Sequence, residues 1–424
     1  MKSPACRIAA AMSFAFALQI CSADPPPTTA PAAGDPGIID WRDAPKFVGR
    51  EVIVQGRIVQ ARNIGRITFL NFDPQRSFTA IVRDRSYKNF PAAPATAYAQ
   101  KFVRIRGTIT EYKGKPQIEF YRPDQVTVLE KEEPIPEGRA AQPLPPPRKR
   151  EFKGVLTLAC YNVENLFDSH DDPYRQDEGT ETKPEAAQAK AAETIRSLDA
   201  DIIALEEVEN RGVLEQFVAN RLGDLGYANV VLFEGNDGRG IDCALLTWLP
   251  VGPVTSYRHV LFDDGSGGRM TFRRDLLRIT IEPPGHASFD VFVVHLKCCG
   301  GTDDVRIRNA EAVAVRAIVD DILKGSPSAR FVICGDFNDK WDSAAMKTIR
   351  GSGDAELEGF LSDLSEGSVS YHKAPYRSII DHIIASPAMA ERYLAKSYRI
   401  ATGGPADQAS DHYPVVTQFN LDVE

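Results

Sequence analysis

Phe331-Val332-Ile333-Cys334-Gly335-Asp336-Phe337-Asn338 runs four apolar residues into an acid and an amide. The apolar run reads as a buried strand, and its polar end as the point where that strand delivers ligands to a site. Asp336 and Asn338 stand two apart, so in extended chain both project from one face, as a hard cation or a phosphate oxygen would require. The design returns at Ser410-Asp411-His412, which leads into Tyr413-Pro414-Val415-Val416. Further out, Ala159-Cys160-Tyr161-Asn162 ends a strand in an amide and Ala204-Leu205-Glu206-Glu207 ends one in carboxylates. Val293-Val294-His295 ends another in an imidazole. Glu207 is expected to continue the face of Ile203 and Leu205.

Strand patterns at 155–161, 201–208, 241–248, 276–281, 289–296, 331–335 and 415–421 are apolar on both faces, which implies burial between helices or against a second sheet. Helical periodicity covers 190–198, 213–222 and 305–324, the last ending at Gly325. Taken singly, an Asn or Glu at a strand end is ordinarily a cap or a solvated group, and a lone His a structural residue. Here Asn162, Glu207, His295, Asp336 with Asn338, Asp381 and His412 follow one another in order. Together they supply oxygen ligands for a hard cation, two imidazoles and amides for phosphate oxygens.

The chain of 424 residues is 43% hydrophobic and 25% charged, ordinary globular composition with length for two or three domains. Residues 1–23 read as a secretory signal: Lys2 and Arg7 are the basic start, Ala9 to Ile20 the apolar core, and cleavage follows Ala23. No later run approaches the ~18 apolar residues of a membrane span, so the mature protein is expected to be soluble and secreted or periplasmic. Beyond the signal stand Cys160, Cys243, Cys298, Cys299 and Cys334. Three lie in apolar strand runs as buried thiols, and none has Cys-x-x-Cys spacing, which argues against zinc. The adjacent Cys298-Cys299 could pair with each other or with another thiol, although adjacent residues close a strained ring.

Pro-rich segments at 24–37 and 131–150 read as extended, mobile linkers around a module at 38–130, leaving a larger one at 151–424. The small module holds 16 Lys and Arg against 9 Asp and Glu, and the large one 27 against 44. A basic module of +7 could therefore recruit a polyanion that the −17 module repels. The small module reads as all-β: Val52, Val54 and Ile58 alternate with polar residues, and so do Val103, Ile105 and Ile109. A hairpin turn falls at Tyr112 to Lys115, and a short irregular helix around Tyr87 to Gln100. With twelve aromatics, it resembles the oligonucleotide-binding (OB) fold, a five-stranded barrel.

The large module carries Tyr-Asn-Val-Glu-Asn-Leu-Phe-Asp (161–168), Ile-Ile-Ala-Leu-Glu-Glu-Val-Glu (202–209), Gly-Arg-Gly-Ile-Asp-Cys-Ala-Leu-Leu (238–246), Val-Val-His-Leu-Lys (293–297), Gly-Asp-Phe-Asn-Asp (335–339), Ile-Asp-His-Ile-Ile-Ala-Ser (380–386) and Ser-Asp-His-Tyr-Pro-Val (410–415). As a set it resembles the endonuclease/exonuclease/phosphatase superfamily, which includes deoxyribonuclease-like enzymes, abasic-site endonucleases, sphingomyelinases and inositol polyphosphate 5-phosphatases. The resemblance implies a four-layer α/β sandwich of two mixed sheets flanked by helices, with the site at one rim. It implies Mg²⁺, or Mn²⁺ or Ca²⁺, on Glu207 and Asn162, with Asp411 serving a metal and Glu164 matching a second metal-site acid. His412 resembles the general base oriented by Asp381. His295 resembles the histidine at the scissile phosphate, Asp336 and Asn338 position water and phosphate, and Arg274 resembles a phosphate-contacting arginine. The Cys298-Cys299 pair departs from the family's usual Ser- or Lys-rich continuation. The expectation is an exported, metal-dependent phosphodiesterase, foremost a nuclease on DNA or RNA. Its rivals are a phosphatase or phosphodiesterase for lipid head groups or small phosphates, and a nucleic-acid-binding protein with an inactive hydrolase module.

Overall fold

The computed structural model describes residues 36–136, 139–141, 147–169, 172 and 174–422. The expected signal segment and nearly all of the first linker lie outside the described residues. Among the described residues no helix is long and apolar enough to cross a membrane.

The small module is all-β, as the alternation implies, and its strands follow one another in a circuit. Glu51–Arg57 pairs with Phe102–Tyr112, bends, and continues as Gln60–Asn63 against Ile67–Asn71. Ile67–Asn71 pairs with Thr79–Arg83, which runs parallel to Lys115–Glu119, and that strand returns to Phe102–Tyr112 to close the circuit. Val52, Val54, Leu70, Val82, Val103, Ile105 and Ile118 fill its interior. Arg104 and Arg106 share the outer face as expected, but both are tied down. Arg104 reaches Gln55 (2.8 Å) and Glu133 (3.4 Å), and Arg106 reaches Glu51 (2.9 Å). Described parts of the second proline-rich segment make contacts of their own. Arg139–Ala141 docks along Ile38 by two backbone hydrogen bonds, and Arg150 donates to the carbonyls of Leu225 and Ala200.

In the large module one sheet orders its strands Asn229–Leu232, Asp242–Thr247, Ile202–Val208, Val155–Leu166, Val415–Asn420 and Arg399–Ile400. The other runs Val251–Ser256, Leu276–Ile281, Phe289–His295, Phe331–Asp336, Asp381–Ala385 and Glu358–Gly359. Each sheet contains one parallel pair among antiparallel neighbours, so both are mixed. Their facing sides bury Leu158, Cys160, Ile202 and Ala204 against Ile279, Val291, Val293 and Ile383. Ile203 and Leu205 point the other way, to Ile195, Leu198, Leu214 and Phe217 of the helices Glu185–Leu198 and Arg211–Phe217. On the far side, Thr302–Gly325 lays Ala312, Val315, Val319 and Leu323 on Phe292, Phe331 and Ile333. Its first turn carries Asp303 and Asp304 and its last Lys324, matching the helix dipole. This is the four-layer sandwich expected. The parallel pairs bring Asn162 beside Glu206, and His295 beside Asp336, at one rim.

Asp242 is a buried acid at the start of the strand Asp242–Thr247, in register with Val208. It is 1% exposed, its Oδ1 accepts the Gly235 N–H at 2.7 Å, and its Oδ2 has no partner. Burial pushes its pKa up to about 7. A carboxyl raised on folding adds stability that is full below its unfolded value and is lost as pH rises through the folded one. Asp242→Asn, which stays neutral, is therefore expected to be more stable than the parent at pH 8 by on the order of 3 kcal/mol, with the gap closing by pH 4. Urea denaturation at both pH values tests this; parallel pH profiles would contradict it.

Candidate active site at the sandwich rim

Backbone irregularities shape the site. A bulge falls between Glu206 and Val208, and Glu207 within it takes a left-handed φ of 64°. Glu207 therefore does not continue the outward face of Ile203 and Leu205; the bulge turns its carboxylate to the rim, where Oε1 accepts from Asn162 Nδ2 at 3.3 Å and Oε2 from the Asn165 N–H at 3.1 Å. Glu164, Asn165 and Asn338 also have left-handed φ, 50°, 52° and 51°. Such strain persists only where surrounding contacts over-determine it, and here it gathers around one constellation. Gly335 is required for the same reason: a Cβ there would lie 2.1 Å from the Val294 carbonyl oxygen and 2.7 Å from Glu206 Oε1.

Asp336 is the centre. Its Oδ1 accepts the Asn338 N–H at 2.8 Å, and its Oδ2 accepts from Asn162 Nδ2 at 3.1 Å. The same Oδ2 lies 3.6 Å from His295 Nε2 and 3.8 Å from His412 Nε2. Asp381 holds His412 from behind, its carboxylate 2.8 Å from Nδ1. The Ser370 hydroxyl accepts the Ile380 and Asp381 N–H groups, and Ser410 Oγ, donating to the Asn162 carbonyl, accepts the His412 N–H. Asn338 Nδ2 donates to the Leu296 carbonyl at 3.0 Å.

Arg274 is only 4% exposed; its Nε lies 3.2 Å from Asp237, and its Nη1 donates to the Leu296 carbonyl at 3.4 Å. It therefore braces the Leu296 carbonyl that Asn338 shares. Asp411 and Glu164 stand at the mouth with Lys373 between them, at 3.6 and 3.8 Å. Sequence reasoning missed Lys373 and Tyr371, whose ring centre lies 5.0 Å from that of His412. They sit on an irregular turn with no periodicity to read. Arg239, which donates to Asn165 Oδ1 at 3.3 Å, lay inside a quoted motif without a role.

Electrostatically the rim is crowded with carboxylates. Burial, then Asp381, pushes Asp336 up to about 7, with His412 opposing. Burial would lower His412, but Asp381 and Asp336 outweigh it and push it up to about 10. His295 goes the opposite way, held well below its ordinary value by burial and the Arg274 charge, with its Nδ1 unpartnered. Glu206 is fully buried beneath Gly335 with neither carboxyl oxygen partnered, and burial with Asp381 and Asp336 keeps it well above its usual range. This arrangement suits a hard cation: the donors are oxygens, negative charge is in surplus and no thiolate joins them. Ligand atoms of Asp336, Asp381 and His412 lie within 4.8 Å of one another. His412 and Asp381 are joined by a hydrogen bond, while the carboxylates of Glu207 and Asp336 are bridged by Asn162, which turns its Nδ2 to both and accepts the Glu164 N–H on its Oδ1 at 3.0 Å.

The profile of the Endonuclease/Exonuclease/phosphatase family matches residues 157–404. Among curated proteins none matches. Similar solved structures include the human Nocturnin catalytic domain with bound sulfate anion, at 21% identity, covering 64% of this chain and 96% of that one with a TM-score of 0.47. Truncated Caenorhabditis elegans TDP2 is 14% identical, covering 63% of this chain and 98% of that one with a TM-score of 0.43. An endonuclease/exonuclease/phosphatase from Beutenbergia cavernae is 17% identical, covering 63% and 72% with a TM-score of 0.44.

Proposed function

Because the chain belongs to the endonuclease/exonuclease/phosphatase family, we propose that it is a divalent-metal-dependent phosphodiesterase whose substrate is nucleic acid, and that it is exported. The observation that carries this reading is the Asp381–His412 pair aimed at Asp336, whose carboxylate is linked to that of Glu207 through Asn162. Glu207 and Asn162 would hold Mg²⁺ or Mn²⁺, with Asp411 and Glu164 at the mouth. When bound, the ion polarises phosphate oxygens and acidifies water.

The chain's own groups supply the rest. Asp381 fixes the proton of His412 on Nδ1, leaving Nε2 to take the proton of a water lodged against Asp336. While the surrounding carboxylates are uncompensated His412 keeps its proton, so its basicity is tied to neutralising them. Neutral His295 and the Asn338 turn face the side where a phosphate would sit, and Arg274 steadies that wall.

The charge contrast between the modules favours nucleic acid over a small ester. The basic module joins the large one through the Glu51 N–H, which donates to Asn220 Oδ1 at 3.0 Å. Asn220 lies on the helical segment leading away from the rim, about 16 Å beyond Glu209 at helical rise. Recruitment would thus act by steering at a distance, and its test belongs on side chains with no structural duty. Arg62, Arg66 and Lys113 are exposed, whereas Arg104 and Arg106 are held in ion pairs. Reversing all three charges is expected to raise KM on long single- or double-stranded DNA or RNA roughly tenfold at low salt, with no change on an aryl phosphodiester and a shrinking effect as salt rises. Equal KM values on long nucleic acid would remove the recruitment role. Faster hydrolysis of sphingomyelin or of a small phosphate ester than of any nucleic acid would transfer the assignment to that substrate.

A further inference from the structure

We propose that Cys298 and Cys299 form a reversible vicinal disulfide whose closure shifts the loop behind His295 and slows the enzyme. Their Sγ atoms lie 3.1 Å apart, on the loop between the His295 strand and the helix Thr302–Gly325. Cys298 is half-buried, and Cys299 is exposed with a left-handed φ of 77°. Cys160, Cys243 and Cys334 are buried, each thiol against a backbone carbonyl, so among the described residues an oxidant in solution meets only the adjacent pair.

The carbonyls of this loop are held by side chains that also reach the site. Arg308 Nη1 donates to the Lys297 and Cys299 carbonyls at 2.8 and 2.9 Å, while its Nε donates to Asp339, next to Asn338, at 3.0 Å. The Leu296 carbonyl accepts from Asn338 and Arg274. Glu311, 1% exposed, accepts the Lys297 N–H at 2.8 Å and the Arg273 N–H at 2.9 Å. Closure draws the sulfurs in from 3.1 Å to a bonded distance and twists the peptide between them, whose carbonyl is that of Cys298, so the flanking Lys297 and Cys299 carbonyls that Arg308 holds must shift with it. Arg308 and, through it, the Asp339–Asn338 turn follow, while Gly300 and Gly301 let the chain beyond adjust.

The oxidant is a low-molecular-weight disulfide. The Cys299 thiolate attacks one of its sulfurs and expels one thiolate. The Cys298 thiolate then attacks Cys299 Sγ and expels the second, so two protein thiols become one disulfide and the oxidant becomes two thiols. The proton shared with Cys298 keeps the Cys299 thiol above its ordinary pKa, so exchange quickens as pH rises.

The full protein, treated with oxidised glutathione and then with dithiothreitol, provides the test. Expected after oxidation is a loss of about 2 Da confined to the peptide containing both residues, with two fewer thiols open to native alkylation. Turnover of an aryl phosphodiester should fall roughly tenfold, as for a positioning group displaced by a fraction of an ångström, and recover on reduction. Cys298→Ser and Cys299→Ser should each lose the redox response while keeping the turnover of the reduced parent. An unchanged mass, a lasting glutathione adduct or a disulfide-linked dimer would overturn the ring, and a ring without change in turnover would overturn its coupling to the site. The mass measurement reads the ring whether or not phosphodiesters are the substrate.

Discussion

Turnover of His412→Ala is expected to fall by about 10²–10⁴ with folding intact, because the relay loses the group that takes the proton. Asp381→Asn should lose somewhat less, since it keeps a hydrogen-bond partner for Nδ1 but neither the charge nor the right tautomer. Rates on an aryl phosphodiester, with thermal melts to establish folding, decide the matter; near-normal turnover in folded His412→Ala would move the base elsewhere. The neighbouring His382 gives the contrast. It is fully buried between Phe337 and Trp341, with Nε2 3.1 Å from the Asp339 carbonyl oxygen and burial lowering its pKa to about 4. Replacing it should cost stability before it costs turnover.

Glu207→Gln is expected to lower turnover by roughly 10² at limiting Mg²⁺, with part of the loss recovered as Mg²⁺ is raised. Glutamine keeps an oxygen for the Asn165 N–H, so the bulge should survive while the charge disappears. A titration of rate against Mg²⁺ separates the two roles. An unchanged half-saturating concentration would remove Glu207 from the metal.

Much of the site was legible because each of its groups borders an apolar run, where burial ends and a strand presents its tip. Asn162, His295, Asp336 and His412 meet at one rim for that reason, and the seven strand patterns fall on observed strands. What could not be read depends on departures from regular backbone. Period two assigns Glu207 to the face of Leu205, but the bulge, fixed by pairing to both neighbouring strands, reverses it. The orphaned Glu206 is equally hidden: a second Glu at a strand end reads as solvated, yet parallel pairing with Asn162 points it between the sheets. The pairing of Arg274 with Asp237, distant in sequence, is likewise announced by no local pattern. Within the second proline-rich segment, Arg139–Ala141 and Arg150 find backbone partners that no local pattern announces. The basic surface raised a similar difficulty: counting charges could not tell Arg104 and Arg106, held in ion pairs, from the exposed Arg62 and Arg66.

Metal dependence of phosphodiester hydrolysis tests the central claim most directly. The purified protein, assayed on DNA, RNA and an aryl phosphodiester with Mg²⁺ or Mn²⁺ and again in excess EDTA, is expected to cleave with the ion, to fall to background with the chelator, and to recover when the ion is restored. Full turnover in excess EDTA, or no cleavage of any phosphodiester with either ion, would contradict it.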